Sequence, residues 1–151
     1  MDYTDELPDI FKNASCEPVS SSEQKSKAQA VISDLSAQYP SWAKTDVQKL
    51  KHLYVEACRI CGQNRDELVR GSLYRTAHDI KGQGATFGYP LMTLLGAHLC
   101  AYIKKTTEFS DENLTTLLDD INDMEIVLEQ KLIGDGGDAG KQILNRLKAA
   151  G

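Results

Sequence analysis

The chain has 151 residues, 41% of them hydrophobic, which is enough to bury one ordinary core in a single domain. Its 22 acidic and 17 basic residues leave a net charge of −5 and a pI near 5.2, without the basic balance of a nucleic-acid binder. No stretch approaches the roughly 20 apolar residues of a membrane span, and the acidic start Met1-Asp2-Tyr3 lacks the apolar core of a secretory signal, so a cytoplasmic location is expected.

Residues 1 to 22 hold Pro8, Pro18 and Ser20, Ser21 and Ser22, and read as a flexible leader ahead of a domain spanning 23 to 151. From Glu23 to Tyr39 the residues Ala28, Val31, Ile32 and Leu35 fall at helical spacing and predict an accessory N-terminal helix. Pro40 has the fixed φ that suits a first helical turn, so a new helix is expected there. Its apolar stripe is Trp42, Val47, Leu50, Leu53, Tyr54, Ala57 and Cys58, running to about Cys61. Gly62 to Asn64 reads as the turn out, and Asp66 and Glu67 favour the positive end of the next helix. That helix reaches Phe87 and Gly88. Pro90 opens another, with Leu91, Leu94, Leu95, Leu99 and Ile103 facing inward. Ser110 is a cap for a further helix that begins with Asp111 and Glu112. Its apolar positions are Leu114, Leu117, Leu118, Ile121, Met124, Ile126, Val127 and Leu128. The glycine-rich stretch 134 to 140 breaks the chain, and Ile143, Leu144 and Leu147 mark a short C-terminal helix. There is no period-two alternation and no internal repeat. The fold class is all-α.

Four cysteines, Cys16, Cys58, Cys61 and Cys100, occur in a chain without a secretory signal, so reduced thiols are expected. Cys58 and Cys61 have redox and metal spacing, but no βαβ pattern surrounds them and no second pair exists. Cysteine is often simply a small buried hydrophobe.

The chemistry concentrates between residues 74 and 88. On a helix there, Leu73, Ala77, Ile80 and Gly84 make an apolar side, and His78 shares the opposite face with Arg75, Lys81 and Gly82. Glycine inside a helix costs about 1 kcal/mol relative to alanine, a cost most simply offset by letting another surface come close. Imidazole, with an ordinary pKa of about 6.5, is a good nucleophile near neutral pH. Arg75 and Lys81 would offset the charge on phosphoryl oxygens. His52 and His98 lack this context and read as surface or interhelical residues.

The run Ala77-His78-Asp79-Ile80-Lys81-Gly82, followed after five residues by Gly88, resembles the signature of histidine-containing phosphotransfer (HPt) domains: His-x-x-Lys-Gly, an apolar residue before the Lys, and a glycine closing the helix. Leu91, Leu94, Leu95 and Leu99 match the apolar positions of the following family helix, and the resemblance covers about residues 45 to 133. It implies an antiparallel four-helix bundle that accepts a phosphoryl group on His78 and passes it to the aspartate of a receiver domain. Response-regulator receivers and a (hybrid) histidine kinase are the implied partners, and the chain is expected to be a monomer. Lys81 and Arg75 would support the phosphoryl group, and Gly82, Gln83 and Asp79 would meet the partner. No cofactor or metal is expected here, because the receiver supplies an acidic pocket, a lysine and Mg²⁺; the chain is a phosphocarrier rather than an enzyme. Many members place a Gln or Glu on the next helix to hydrogen-bond the imidazole. That position is Cys100 here, and a thiol is a weak partner, which leaves Gln83 or a water to take the role. Two other readings compete. One is a helical adaptor that binds a receiver or kinase without being phosphorylated. The other is a metal site of His78, His98 and a cysteine, although the Glu-x-x-His pairs of four-helix carboxylate sites do not occur.

Overall fold

The computed structural model describes residues 21–61 and 67–150. Among them are five α-helices, one 3-10 turn and no strand: α1 (Ser21–Arg59), α2 (Glu67–Gly84), the turn Ala85–Phe87, α3 (Pro90–Lys105), α4 (Asp111–Glu129) and α5 (Gly137–Ala150). The all-α expectation holds, and no helix among the described residues is long and apolar enough to cross a membrane. The chain divides into two units, residues 1–34 and 35–151. Residues 1–20, most of the expected leader, lie outside the described residues, as does the expected turn at Gly62 to Asn64.

In the first unit, Ala28 and Val31, two of the residues whose spacing predicts the accessory helix, are helical and exposed. A correction concerns Pro40. It does not start a helix but lies inside α1, a single helix of 39 residues. Proline removes one helical hydrogen bond and crowds the preceding turn at a cost of about 3 kcal/mol. The opposing term is burial. Tyr39, Ala43, Val47, Leu50 and Ala57 form a buried stripe through and beyond the proline, with Leu53 and Tyr54 half-buried between the last two, and each large apolar side chain so buried contributes about 1.5–3 kcal/mol. A break at residue 40 would throw Tyr39 out of register with Ala43 and Val47. Two residues placed on this stripe from the sequence are instead exposed, Trp42 and Cys58.

The core of the second unit joins that stripe to Leu73, Ala77 and Ile80 of α2, to Leu91, Leu95, Leu99 and Ile103 of α3, and to Leu117, Ile121 and Met124 of α4. Leu94 and Ile126 belong to the predicted stripes by spacing, yet they sit at the stripe edges and remain 44% and 37% exposed. Met92, Gly96 and Cys100 fill α3's inward face in addition. Ser110 caps α4 as expected, its hydroxyl accepting from the Asn113 N–H at 3.2 Å.

Neighbouring helices run antiparallel, as cross-contacts between α2 and α3 and between α3 and α4 fix. Cys100 faces Tyr74 and Thr93 faces Lys81 across the first pair; His98 faces Asp120 and Tyr102 faces Asn113 across the second. The connection after α2 is short because Gly88 takes φ +88°, a left-handed conformation that glycine adopts without steric cost. Tyr39 stacks on Phe87 (5.3 Å between ring centres) and packs on Tyr89 (5.2 Å), closing the core under that connection. Burial, and then the charge of Asp46, pushes the Tyr39 phenol up to about 12. At the other end of α3, Arg70 donates to the carbonyls of Ile103 and Thr106 and lies over the Phe109 ring. Those carbonyls belong to the helix end, where intrahelical donors run out.

Candidate functional site

The middle of α2 carries the site. Leu73, Ala77, Ile80 and Gly84 are buried, as the spacing requires, and Arg75, His78, Asp79, Lys81, Gly82 and Gln83 are all exposed. All six residues expected from the sequence to act at the site therefore stand on the solvent side of one helix. Among the described residues nothing hydrogen-bonds the His78 imidazole. Its ring contact is with Tyr74, one turn back, at 6.2 Å between ring centres and 27° between planes. Gly71, Tyr74, Arg75 and His78 line a shallow groove on this face.

The backbone beneath the imidazole is held from α3. A Cβ added to Gly96 would stand 2.8–2.9 Å from the Lys81 N, the Ala77 carbonyl and the Lys81 Cα. The two helices thus touch backbone to backbone directly behind the segment that bears His78. Thr93, one turn before Gly96, accepts from the Ala85 N–H at 2.8 Å and donates to the Lys81 carbonyl at 2.9 Å. Gly84 packs against the same threonine, a Cβ there meeting Thr93 atoms and the Tyr89 carbonyl at 2.8 Å. Gly82 is the opposite case, with nothing among the described residues within 4 Å of an added Cβ.

These surroundings separate the two glycines experimentally. Gly96→Ala presses a methyl group on backbone that cannot rotate away, and is expected to cost about 1–3 kcal/mol. Gly82→Ala meets open space and gains helix propensity, up to about 1 kcal/mol of stabilisation. Urea unfolding midpoints of the two variants check both signs, and the same sign for both would contradict this packing.

Cys100 does not face the imidazole. It is buried, its thiol points at the Tyr74 carbonyl at 3.8 Å, and burial pushes its ionisation up. It packs as a small apolar residue. Cys61 directs its thiol to the Phe109 carbonyl at 2.9 Å, and Cys58, Cys61 and Cys100 are free thiols. His98 faces α4, where its Nδ1 lies 2.7 Å from Asp120. His98 is thus engaged with Asp120, and among the described residues, which include Cys58, Cys61 and Cys100 but not Cys16, no group of three or more His, Cys, Asp or Glu side chains is placed to hold a metal ion. No family model matches the chain, and neither a curated protein nor a solved structure does.

Asp79 lies on the flank of α2 that meets α1. Burial, and next the charge of Asp79, holds the carboxyl of half-buried Asp46 above its usual 3.8, against a smaller opposite pull from Lys49. A raised acid binds its proton more tightly in the folded state. Its contribution to stability is full below 3.8 and is lost as pH rises through the raised value. Asp46→Asn should therefore raise the thermal midpoint at pH 7 and leave it unchanged at pH 3. Equal shifts at both pH values would show that charge is not the cause.

Thr93, Gly96 and Tyr74 are the supporting residues that sequence reasoning missed. Gly96 left a trace, a helix-interior glycine among leucines. Thr93 left none, because its two hydrogen bonds cross to α2.

Proposed function

We propose that the protein is a histidine phosphotransfer protein, carrying a phosphoryl group on His78 between receiver-domain aspartates. The observation that carries this reading is an exposed imidazole, unpartnered by hydrogen bonds among the described residues, on a face with Arg75, Lys81 and the bare surface of Gly82. Gly82 supports it independently. Its helix cost of about 1 kcal/mol is not offset by packing against any of the described residues, as it is for Gly84 and Gly96. Room for a visiting surface supplies a reason.

In the mechanism that fits, α1 from Leu35 onward, α2, α3 and α4 make an antiparallel four-helix bundle, and α5 is the additional C-terminal helix. A nitrogen of neutral His78 attacks the phosphorus of a receiver aspartyl-phosphate. The P–N bond forms as the P–O bond to the aspartate breaks, and the carboxylate leaves with the electron pair. The same steps in reverse load a second receiver. Phosphoryl transfer depends mainly on in-line positioning and charge neutralisation. α2, backed by Gly96 and Thr93, gives the first; Lys81 and Arg75 contribute to the second, the remainder coming from the receiver's own lysine and Mg²⁺. Asp79 and Gln83 flank the contact. A cytoplasmic location and a hybrid histidine kinase upstream belong to the same reading.

The test is incubation with a receiver domain labelled on its aspartyl-phosphate. Label that moves to this chain and is stable to base but labile to acid supports the proposal. A receiver that binds without transferring label would identify the chain as an unphosphorylated adaptor.

A further inference from the structure

An imidazole on an exposed helix face has several staggered χ1 positions and a broad χ2, whereas in-line attack needs a ring nitrogen held in one direction. Cys100 supplies no such restraint, since its thiol is directed at a backbone carbonyl. Gln83 lies five residues after the histidine, off the three- and four-residue spacing of helix neighbours, and among the described residues no hydrogen bond joins the two; the His78 side chain itself leans back towards the N-terminus of α2. What lies in that direction, four residues earlier on the same face, is Tyr74. Its ring stacks on His78 at 6.2 Å and 27°, within the range of offset aromatic pairs. Tyr74 is itself held from α3, where the Lys104 ammonium lies 5.4 Å from the centre of the tyrosine ring. The tyrosine is half-buried and lines the groove beside the histidine together with Gly71 and Arg75.

We infer that Tyr74 is a positioning residue for His78. It fixes the plane of the imidazole by its face, leaving both nitrogens at the free edge, and Lys104 fixes Tyr74 in turn. The inference about transfer rests on the phosphotransfer reading, but the stacking does not, and two measurements keep them apart. The first is the proton NMR of the His78 ring in the unphosphorylated full chain. The ring current of Tyr74 should displace the imidazole signals in the wild type and in Tyr74→Phe, and Tyr74→Leu, which keeps buried bulk without a ring, should return them to free-histidine positions. The second is the first-order rate of label transfer from a saturating phosphorylated receiver. Tyr74→Leu should slow it by roughly two- to tenfold, the scale of one aromatic pair, with receiver affinity unchanged and Tyr74→Phe restoring the rate. Undisplaced signals in the wild type, or a Phe variant as slow as the Leu variant, would overturn the role of the ring. So would wild-type rates in Tyr74→Leu. A wild type that takes up no label while its signals are displaced refutes the phosphotransfer reading and leaves the stack standing.

Discussion

His78→Asn is expected to give a chain that folds like the wild type and takes up no phosphate. The substitution touches little that holds the fold together. The ring is exposed, accepts and donates no hydrogen bond among the described residues, and loses only its stack on Tyr74. Surface changes of this kind usually stay within about 0.5 kcal/mol, and the aromatic pair adds about 0.5–1.5 kcal/mol. The chemical loss is of another order. An amide has its nitrogen lone pair delocalised into the carbonyl, and no other imidazole shares this helix face. His98 is committed to Asp120 across the α3–α4 contact, and His52 belongs to a different helix, α1. Circular dichroism and urea midpoints should overlay the wild type, while labelled receiver phosphate stays on the receiver. Label that moved to the variant would refute the assignment of His78.

The sequence made much of this site legible, for a physical reason. A helix face is a local property: spacing of three and four residues decides what shares it. Burial of Leu73, Ala77, Ile80 and Gly84 therefore exposes Arg75, His78, Lys81 and Gly82 by geometry alone. Helix starts at Glu67, Pro90 and Asp111 were legible for the same reason, since acidic residues, proline and a serine cap act within one turn. Pro40 shows where local reasoning fails. Its preference for a first turn is real, but the buried stripe from Tyr39 to Ala57 is a tertiary quantity that outweighs it. The same holds for Cys100. Counting along the chain placed it opposite the histidine, and only the contact between α2 and α3 shows its thiol on the Tyr74 carbonyl.

The network around Asp120 lies wholly beyond such counting, and it carries the largest expected loss of stability. Asp120 is fully buried in α4, with His98 of α3 on one oxygen and Arg146 of α5 on the other, each at 2.7 Å; Arg146 also reaches Asp123 at 2.5 Å. These contacts draw α3 and α5 onto α4 through one carboxylate. Removing one partner of a buried ion pair typically costs about 3–5 kcal/mol, against a total stability of about 5–15 kcal/mol. Arg146→Ala should fall near 3, because His98 remains and the carboxyl has an escape by protonation. Burial already raises Asp120 above its usual 3.8, and hydrogen bonds from His98 and then Arg146 pull it back. Without Arg146 the carboxyl rises further. A raised acid contributes stability that is full below 3.8 and lost as pH climbs through the raised value, so the deficit of the variant should be larger at pH 7 than at pH 3.5. Urea midpoints at the two pH values read this directly. Arg146→Met separates charge from bulk, since the arginine stem also covers apolar surface. If the methionine variant recovers most of the loss and its deficit is the same at both pH values, the stem holds α5 in place; if it matches alanine at pH 7 and recovers in acid, the buried carboxylate does.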